Sequence, residues 1–422
     1  MSKSWVIQRT TCRLCDSDKL TLVLPMQPSP IADAFVPLAK KNEPQPLFPL
    51  DLYQCQDCAH VQNIDVVNPD LLFRDYIFKT SNSKGLVEHF RQYSQDIVHK
   101  YAVPAQSLVV EIGSNDGTLL RFFQEQNMRV IGIDPARDIA RQATLSGIET
   151  MPDFFTTQIA VEIQKKQGLA KLIVANNVYA HSDHLADMTD AIEQLLDDDG
   201  VFVFEVSYLL DIVDKFLFDT VYHEHLSYHS IFSLKRFFQK HGLHFFDIER
   251  VGTKGGSLRG FVQKKTGARA EQPIVEKMIQ EELSRGLNAP AIFQKYEQDI
   301  LACKQAVHAF IDKANSNHQR IVGYGASTTV ITLLYHFELQ DKLEYLIDDN
   351  TVKHGMFSPG SHLEVKPSSI LYEDKPDIVL VMAWQYADII TAKHCQFMLN
   401  GGQFVVPLPH LKVLQSVSKA MA

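Results

Sequence analysis

From Ser107 onward the chain repeats one pattern: a short run of branched apolar residues, a polar turn, then a longer mixed stretch. "SLVVEIG", "RVIGIDP", "KLIVANN" and "VFVFEVS" are the runs, and stretches such as "LADMTDAIEQLLDDDG" separate them. Runs this apolar leave no face for water, and helices between them can cover both sides. The alternation predicts a parallel sheet wrapped by helices. After Leu243, "LHFFDIERV" and "GSLRGFVQK" follow one another closely. A connection that short joins antiparallel strands, so the pair is expected at the end of the sheet. Residues 272–317 read as helical, being rich in Glu, Gln, Lys and Ala. Strands resume in "RIVGYGAS", "LEYLIDD", "PDIVLVMAW" and "GQFVVPLP", a second and shorter α/β unit. Both units open with a strand, a glycine-bearing turn and a helix, as distant internal copies would.

The first hundred residues lack clear periodicity and are rich in proline, as in "LPMQPSPIADAF" and "EPQPLFPLD". They read as a loop-rich module that needs help to stay folded. Within them lie Cys12 and Cys15, then Cys55 and Cys58, two C-x2-C knuckles with 39 residues (16–54) between them. Each knuckle brings two sulfurs to one point, and four thiolates suit a tetrahedral zinc ion. A closed four-thiolate shell has no open position, so this zinc is expected to hold structure rather than do chemistry. Cys303 and Cys395 have no knuckle partner and read as ordinary buried thiols. The expected division is a zinc-binding module over 1–75, a second domain over 76–270, and a helical linker with a C-terminal α/β domain over 271–422.

Across 422 residues the net charge is −9, so no general basic surface invites nucleic acid, and an anionic ligand must be held by local donors. The opening "MSKSWVIQRTTC" has no apolar core or cleavage pattern, and no apolar run is long enough to span a bilayer. The expected address is the cytoplasm, with no membrane partner. The sequence does not set an oligomeric state, and a monomer fits it.

"VVEIGSNDGTLLRFF" is a strand, a glycine turn and a helix, carrying Glu111, Gly113, Asn115 and Gly117. The next strand ends at Asp134, placed to accept hydrogen bonds from ribose hydroxyls. The spacing E-x-G-x-x-x-G lacks the pyrophosphate cradle of dinucleotide sites. An adenosine ligand without phosphates fits better, namely S-adenosylmethionine, with Asn177 at the turn after the fourth strand. The plainer alternative is a structural strand-to-helix turn.

"DTVYHEHLSYHS", 219–230, crowds three histidines, two tyrosines and a glutamate together. It is not a metalloprotease H-E-x-x-H, because Ser227 stands where the second histidine is required. His225 and His229 have helical spacing but no evident third ligand. His184, His223 and His229 read as structural or solvated side chains.

The paired knuckles, "EIGSNDGTLL", "GIDPA", "YHEHLSYHS", "GGSLRG" and "GYGAS" occur here in the order found in the sugar C-methyltransferases of deoxysugar pathways, and the chain resembles that family over nearly its whole length. The resemblance implies a zinc-binding N-terminal domain, a class I (Rossmann-like) methyltransferase domain and a C-terminal Rossmann-like α/β domain. It implies methylation of C-3 of a dTDP-linked 4-keto-6-deoxyhexose, through an enolate. Carried over residue by residue, His225 would be the base, Tyr222 would contact the keto or enolate oxygen, and Glu224 would orient the set. Tyr76, in "FRDYIFKTSNS", and His181, in "NNVYAHSDH", match further active-site positions.

"GYGASTTV" begins a helix with Gly323, Gly325, Ser327 and Thr328, and free N–H groups at a helix start can hold phosphate. It reads as a cradle for the sugar nucleotide's pyrophosphate, with Ser257 and Arg259 of "GGSLRG" helping, or as a plain turn. The rival functions are oxygen or nitrogen methylation, a zinc-ribbon binding protein with a vestigial methyltransferase domain, and a dehydrogenase using "GYGAS". Against the last, no acidic residue stands out at the place a nicotinamide dinucleotide requires.

Overall fold

In the computed structural model, which describes residues 5–74, 76 and 78–415, the chain is woven into two units. One gathers Met1–Thr21, Tyr53–Asp211 and Glu224–Ala289; the other gathers Leu22–Leu52, Ile212–His223 and Pro290–Ala422. The first four residues, within the stretch read for a leader, lie outside the described residues.

The first unit is built on a seven-stranded sheet. Its strands are β1 (Leu108–Ile112), β2 (Arg129–Ile133), β3 (Thr150–Met151), β4 (Ala170–Asn176), β5 (Leu196–Ser207), β6 (Leu243–Val251) and β7 (Ser257–Lys264). They lie in the order β3-β2-β1-β4-β5-β7-β6. The first five are parallel, whereas β7 runs antiparallel to both β5 and β6. This is a Rossmann-type sheet closed by a reversed hairpin, the class I methyltransferase arrangement that was expected. The order reverses between β1 and β4, the switch point where ligands gather at strand carboxyl ends. Residues such as Val109, Leu172, Val174 and Val203 are fully buried and pack with Leu120, Phe123, Tyr93 and Phe261.

Three local expectations need correction. The first hundred residues include a 17-residue helix, Lys84–Lys100. Its buried face is only Phe90, Tyr93, Ser94 and Ile97, a narrow stripe within polar sequence. The stretch 185–200 is helical only over Leu185–Leu195, because β5 begins at Leu196. The stretch 272–317 divides into helices Pro273–Ser284 and Ala291–Ser316. Gly286, at φ +74, turns the chain left-handed, and Pro290 starts the second helix.

The second unit carries a six-stranded sheet: β8 (Ile321–Tyr324), β9 (Leu346–Ile347), β10 (Val365–Lys366), β11 (Ile378–Val381), β12 (Gln403–Val406) and β13 (Lys412–Leu414). The order is β10-β9-β8-β11-β12-β13, parallel except for the last strand. The proline-rich segment Leu22–Leu52 belongs to this unit: Val36–Pro37 pairs with Met356–Phe357, and Lys353 Nζ reaches Asp33 at 2.9 Å. Ile212–His223 joins it too, with the Phe218 ring stacked on Phe337 and the Thr332 hydroxyl donating to the Val221 carbonyl at 2.8 Å. Cys303 is buried as expected. Cys395 is not: it opens the short helix Cys395–Leu399 and is exposed. Among the described residues no helix is long and apolar enough to cross a membrane.

Candidate active site and zinc centre

The four knuckle cysteines meet. Their sulfurs all lie within 4.8 Å of one another, with Cys12 and Cys58 3.5 Å apart and Cys15 and Cys55 3.5 Å apart. Each knuckle turns back through a left-handed residue just after its second cysteine, Asp16 at φ +64 and Ala59 at φ +60. The thiols compete for charge. The hydrogen bond with Cys58 draws Cys12 down to about 6, the same bond pushes Cys58 well up, and burial pushes Cys15 up to about 12. A dication resolves that conflict by stabilising all four thiolates together, so this donor set fits zinc.

The cofactor loop follows β1. Glu111 is buried and its carboxyl is held well above the usual carboxylate range, first by burial and then by the negative charges of Asp134 and Asp116. Its Oε2 atom has no hydrogen-bond partner. Gly113 has φ +72, and a Cβ there would lie 2.3 Å from a methyl of Val178, so only glycine fits the turn. At the end of β2, Asp134 braces the loop: Oδ2 accepts from Asn115 N at 2.8 Å and Oδ1 from Ala136 N at 2.9 Å. Asn115 in turn accepts from Thr80 N and donates to the Phe78 carbonyl, tying the loop to the segment that follows Tyr76. Gly117 starts helix Thr118–Glu125 from φ +75, and Asn177, at φ +56, turns the chain after β4. A buried acid with one unpaired oxygen, a side-chain-free turn and a carboxylate with spare lone pairs suit a cationic sulfonium nucleoside.

The same unit brings His181 and His225 together, ring centroids 5.2 Å apart. His181 is stacked on Phe73 at 5.8 Å, and Phe73 neighbours Tyr76 at 6.5 Å. Burial, then the charge of His225, keeps His181 neutral, and its Nε2 has no partner. Glu224 is buried beside them in sequence. Tyr222 and His223 count with the second unit, because the chain passes between units after His223. His223 and His229 are buried with low proton affinity, and His184 is exposed. Ser257 and Arg259 are engaged internally. The Ser257 hydroxyl donates to Thr253 O at 3.0 Å, and Arg259 Nε donates to Glu205 Oε1 at 2.6 Å. Glu205 also pairs with His89 at 2.9 Å. Neither Glu205 nor His89 was singled out from sequence, since each lies alone within a strand or helix pattern. The same holds for Lys254, at φ +51 in the turn between β6 and β7, which feels the charges of Glu224 and Glu205.

In the second unit, Gly325 N donates to Ile347 O at 2.7 Å, matching Gly113 N to Ile133 O at 2.7 Å in the first. Asp348, after β9, accepts from Ala326 N at 2.7 Å and from Asn350 N at 2.8 Å. This repeats the bracket of Asp134. Asp348 does not stand out in the sequence because the strand Leu346–Ile347 is too short to mark its own end. Ser327 is exposed at the start of helix Thr328–His336, its hydroxyl 2.9 Å from that of Thr329.

Three family models match the chain in succession: a zinc-binding domain over 12–73, a methyltransferase domain over 86–246, and a C-methyltransferase C-terminal domain over 252–409. The C-methyltransferase NovU of Streptomyces niveus is 31% identical over 408 residues, 96% of this chain and 97% of NovU. The chain belongs to the zinc-containing C-methyltransferases. The family resemblance read from the motifs is thus borne out, and with it an enzyme that transfers methyl from S-adenosylmethionine to carbon of a small molecule and binds zinc. Among solved structures, magnesium protoporphyrin IX methyltransferase of Synechocystis PCC 6803 with bound SAH is 12% identical, covering 43% of this chain and 83% of that one, TM-score 0.34. An S-adenosylmethionine-dependent methyltransferase from Clostridium acetobutylicum is 11% identical, covering 43% and 92%, TM-score 0.34.

Proposed function

We propose that this C-methyltransferase acts on C-3 of a dTDP-4-keto-6-deoxyhexose through an enolate. The observation that carries the reading is the His181–His225 pair, rings 5.2 Å apart, in the unit that holds the cofactor loop. S-adenosylmethionine, when bound, supplies an electrophilic methyl group. Glu111, Gly113, Asn115, Gly117, Asp134 and Asn177 hold it. His225 takes the C-3 proton, and the C–H electron pair becomes the C-3–C-4 double bond as negative charge moves onto the C-4 oxygen. Histidine suits this task because its ordinary proton affinity lies near working pH. Tyr222 donates to the developing oxyanion, Glu224 orients the imidazole, and Tyr76 and neutral His181 complete the contact with the sugar. Gly325, Ser327 and Thr328 hold the pyrophosphate, with Ser257 and Arg259 contributing. This assigns 1–75 to zinc, 76–270 to methyl transfer and 271–422 to the sugar nucleotide; the succession of three family matches supports the order of the parts, while Leu22–Leu52 and Ile212–His223 belong to the second unit.

The test separates proton removal from methyl transfer. In heavy water, with S-adenosylhomocysteine in place of the donor, the enzyme is expected to exchange the C-3 hydrogen of a dTDP-4-keto-6-deoxyhexose. His225→Ala loses both exchange and methylation while still binding S-adenosylmethionine. Tyr222→Phe slows both by about 10²–10³, the usual cost of one oxyanion donor. Near-normal C-3 methylation by His225→Ala would sink the assignment.

A further inference from the structure

Arg13 sits inside the first zinc knuckle, between Cys12 and Cys15, yet its side chain is turned away from solvent and is only 3% exposed as a residue. Burying a guanidinium is costly unless each N–H finds an acceptor. Here Nε and Nη1 find acceptors, while Nη2 is buried without one. Nε donates to Asp183 Oδ1 at 3.0 Å. Nη1 donates to the carbonyls of Asn63 and Leu226, the latter at 3.0 Å, and to Gln62 Oε1 at 3.3 Å. Asp183 lies two residues after His181, and Leu226 lies one residue after His225.

The two histidine loops are also stitched to each other. Leu226 N and Ser227 N both donate to Ala180 O, at 3.0 and 3.1 Å. Ser227–Tyr228 then pairs with Val61–Asn63, the strand that follows Cys58, and Asn63 N donates to Leu226 O at 3.0 Å. The Leu226 carbonyl thus receives one donor from each side of the zinc module. Arg13, a residue of the knuckle itself, thus bonds to both histidine loops, through Asp183 and the Leu226 carbonyl.

We infer that Arg13 is a positioning residue for the His181–His225 pair, carrying the order of the zinc knuckle to the two rings through Asp183 and the Leu226 carbonyl. The inference rests on the proposed catalytic role of His225. Zinc in this protein therefore shapes the reacting pair, and does not merely keep the N-terminal module folded. A misplacement near 1 Å at a reacting group costs on the order of 10²-fold in rate, which sets the scale of the effect.

Two substitutions test it, one within the knuckle and one outside. Arg13→Lys keeps the charge but cannot reach the four acceptors together; Asp183→Asn changes no residue of the knuckle and weakens the bonds from Arg13 and from Arg9 Nη1 at 3.1 Å. Both are expected to keep one zinc per chain and wild-type affinity for S-adenosylmethionine. Both should lower kcat on a dTDP-4-keto-6-deoxyhexose by about 10–100-fold with little change in KM. In ¹⁵N-histidine NMR of the substrate-free enzyme, the signals of His181 and His225 should shift or broaden in both variants, whereas that of exposed His184 stays in place. Wild-type kcat with unmoved histidine signals in both variants overturns the inference, as does an activity loss that tracks lost zinc. If the histidine signals move but His225→Ala still methylates normally, the clamp stands and the catalytic reading fails.

Discussion

Asp134 does two jobs with one carboxylate. It accepts the Asn115 and Ala136 amides, which fixes the glycine turn, and its remaining lone pairs are proposed to meet the cofactor ribose. Asp134→Ala is expected to cost about 1.5–3 kcal/mol of S-adenosylmethionine affinity through the lost charged acceptor, roughly 10–100-fold in Kd. Asp134→Asn keeps the shape but must turn an NH₂ group toward one of the two amides, so it also weakens binding. Calorimetry checks both, and unchanged affinity in Asp134→Ala removes the residue from the site. Single residues were legible where spacing itself carries chemistry, as with the four cysteines. They were not where the meaning comes from a distant partner. Nothing in "CRLC" says that Arg13 reaches Asp183 and Leu226, and nothing around Cys395 says that a helix start leaves it exposed.

Among the elements, the pairing of Val61–Asn63 with Ser227–Tyr228 makes the zinc module and the histidine loop one mechanical piece. Cys55→Ser, or zinc removal by a chelator, should therefore act beyond the knuckles. Amide hydrogen exchange is expected to quicken at Asn63, Leu226 and Ser227, while the β1 amides Val109 to Glu111, paired on both sides in the parallel sheet, stay protected. Fast exchange in β1 as well would mean that zinc supports the whole unit rather than this hairpin; no change at Leu226 would mean that it supports neither. The parallel strands were readable because buried strands have no polar face to blur them. The two-residue strand at Ser227 was not, since pairing this short is decided by its partner and not by its own composition. The helix Lys84–Lys100 escaped for the opposite reason: it is long, but its buried stripe is narrow.

For the whole molecule, acid is the informative stress. Burial pushes His229, in the first unit, and His223, in the second, down to about 4. Unfolded histidine titrates near 6.5, so below that pH the unfolded chain binds more protons than the folded one. The stability linked to these neutral rings is complete above pH 6.5 and drains away as pH falls toward about 4, with a ceiling on the order of 3 kcal/mol per ring. Chemical denaturation should show a falling midpoint across that window, and His229→Gln should flatten part of the fall. A level wild-type profile from pH 6.5 to 4.5 would contradict this. The paired α/β units, with Asp134 and Asp348 each bracketing a glycine turn, were visible in outline as two strand–turn–helix openings. The weaving of the chain between them was not, because no local pattern records which sheet a proline-rich segment will join. That weaving has a consequence at the ribosome. Leu22–Leu52 emerges about 300 residues before its strand partner Met356–Phe357 exists, a wait of roughly 15–60 s at ordinary synthesis rates. Phe35, Phe48 and Leu50, buried in the finished protein, spend that interval before their unit is complete. A nascent chain of this enzyme must therefore hold a greasy, unpartnered segment in solution longer than a chain whose domains are completed one after another.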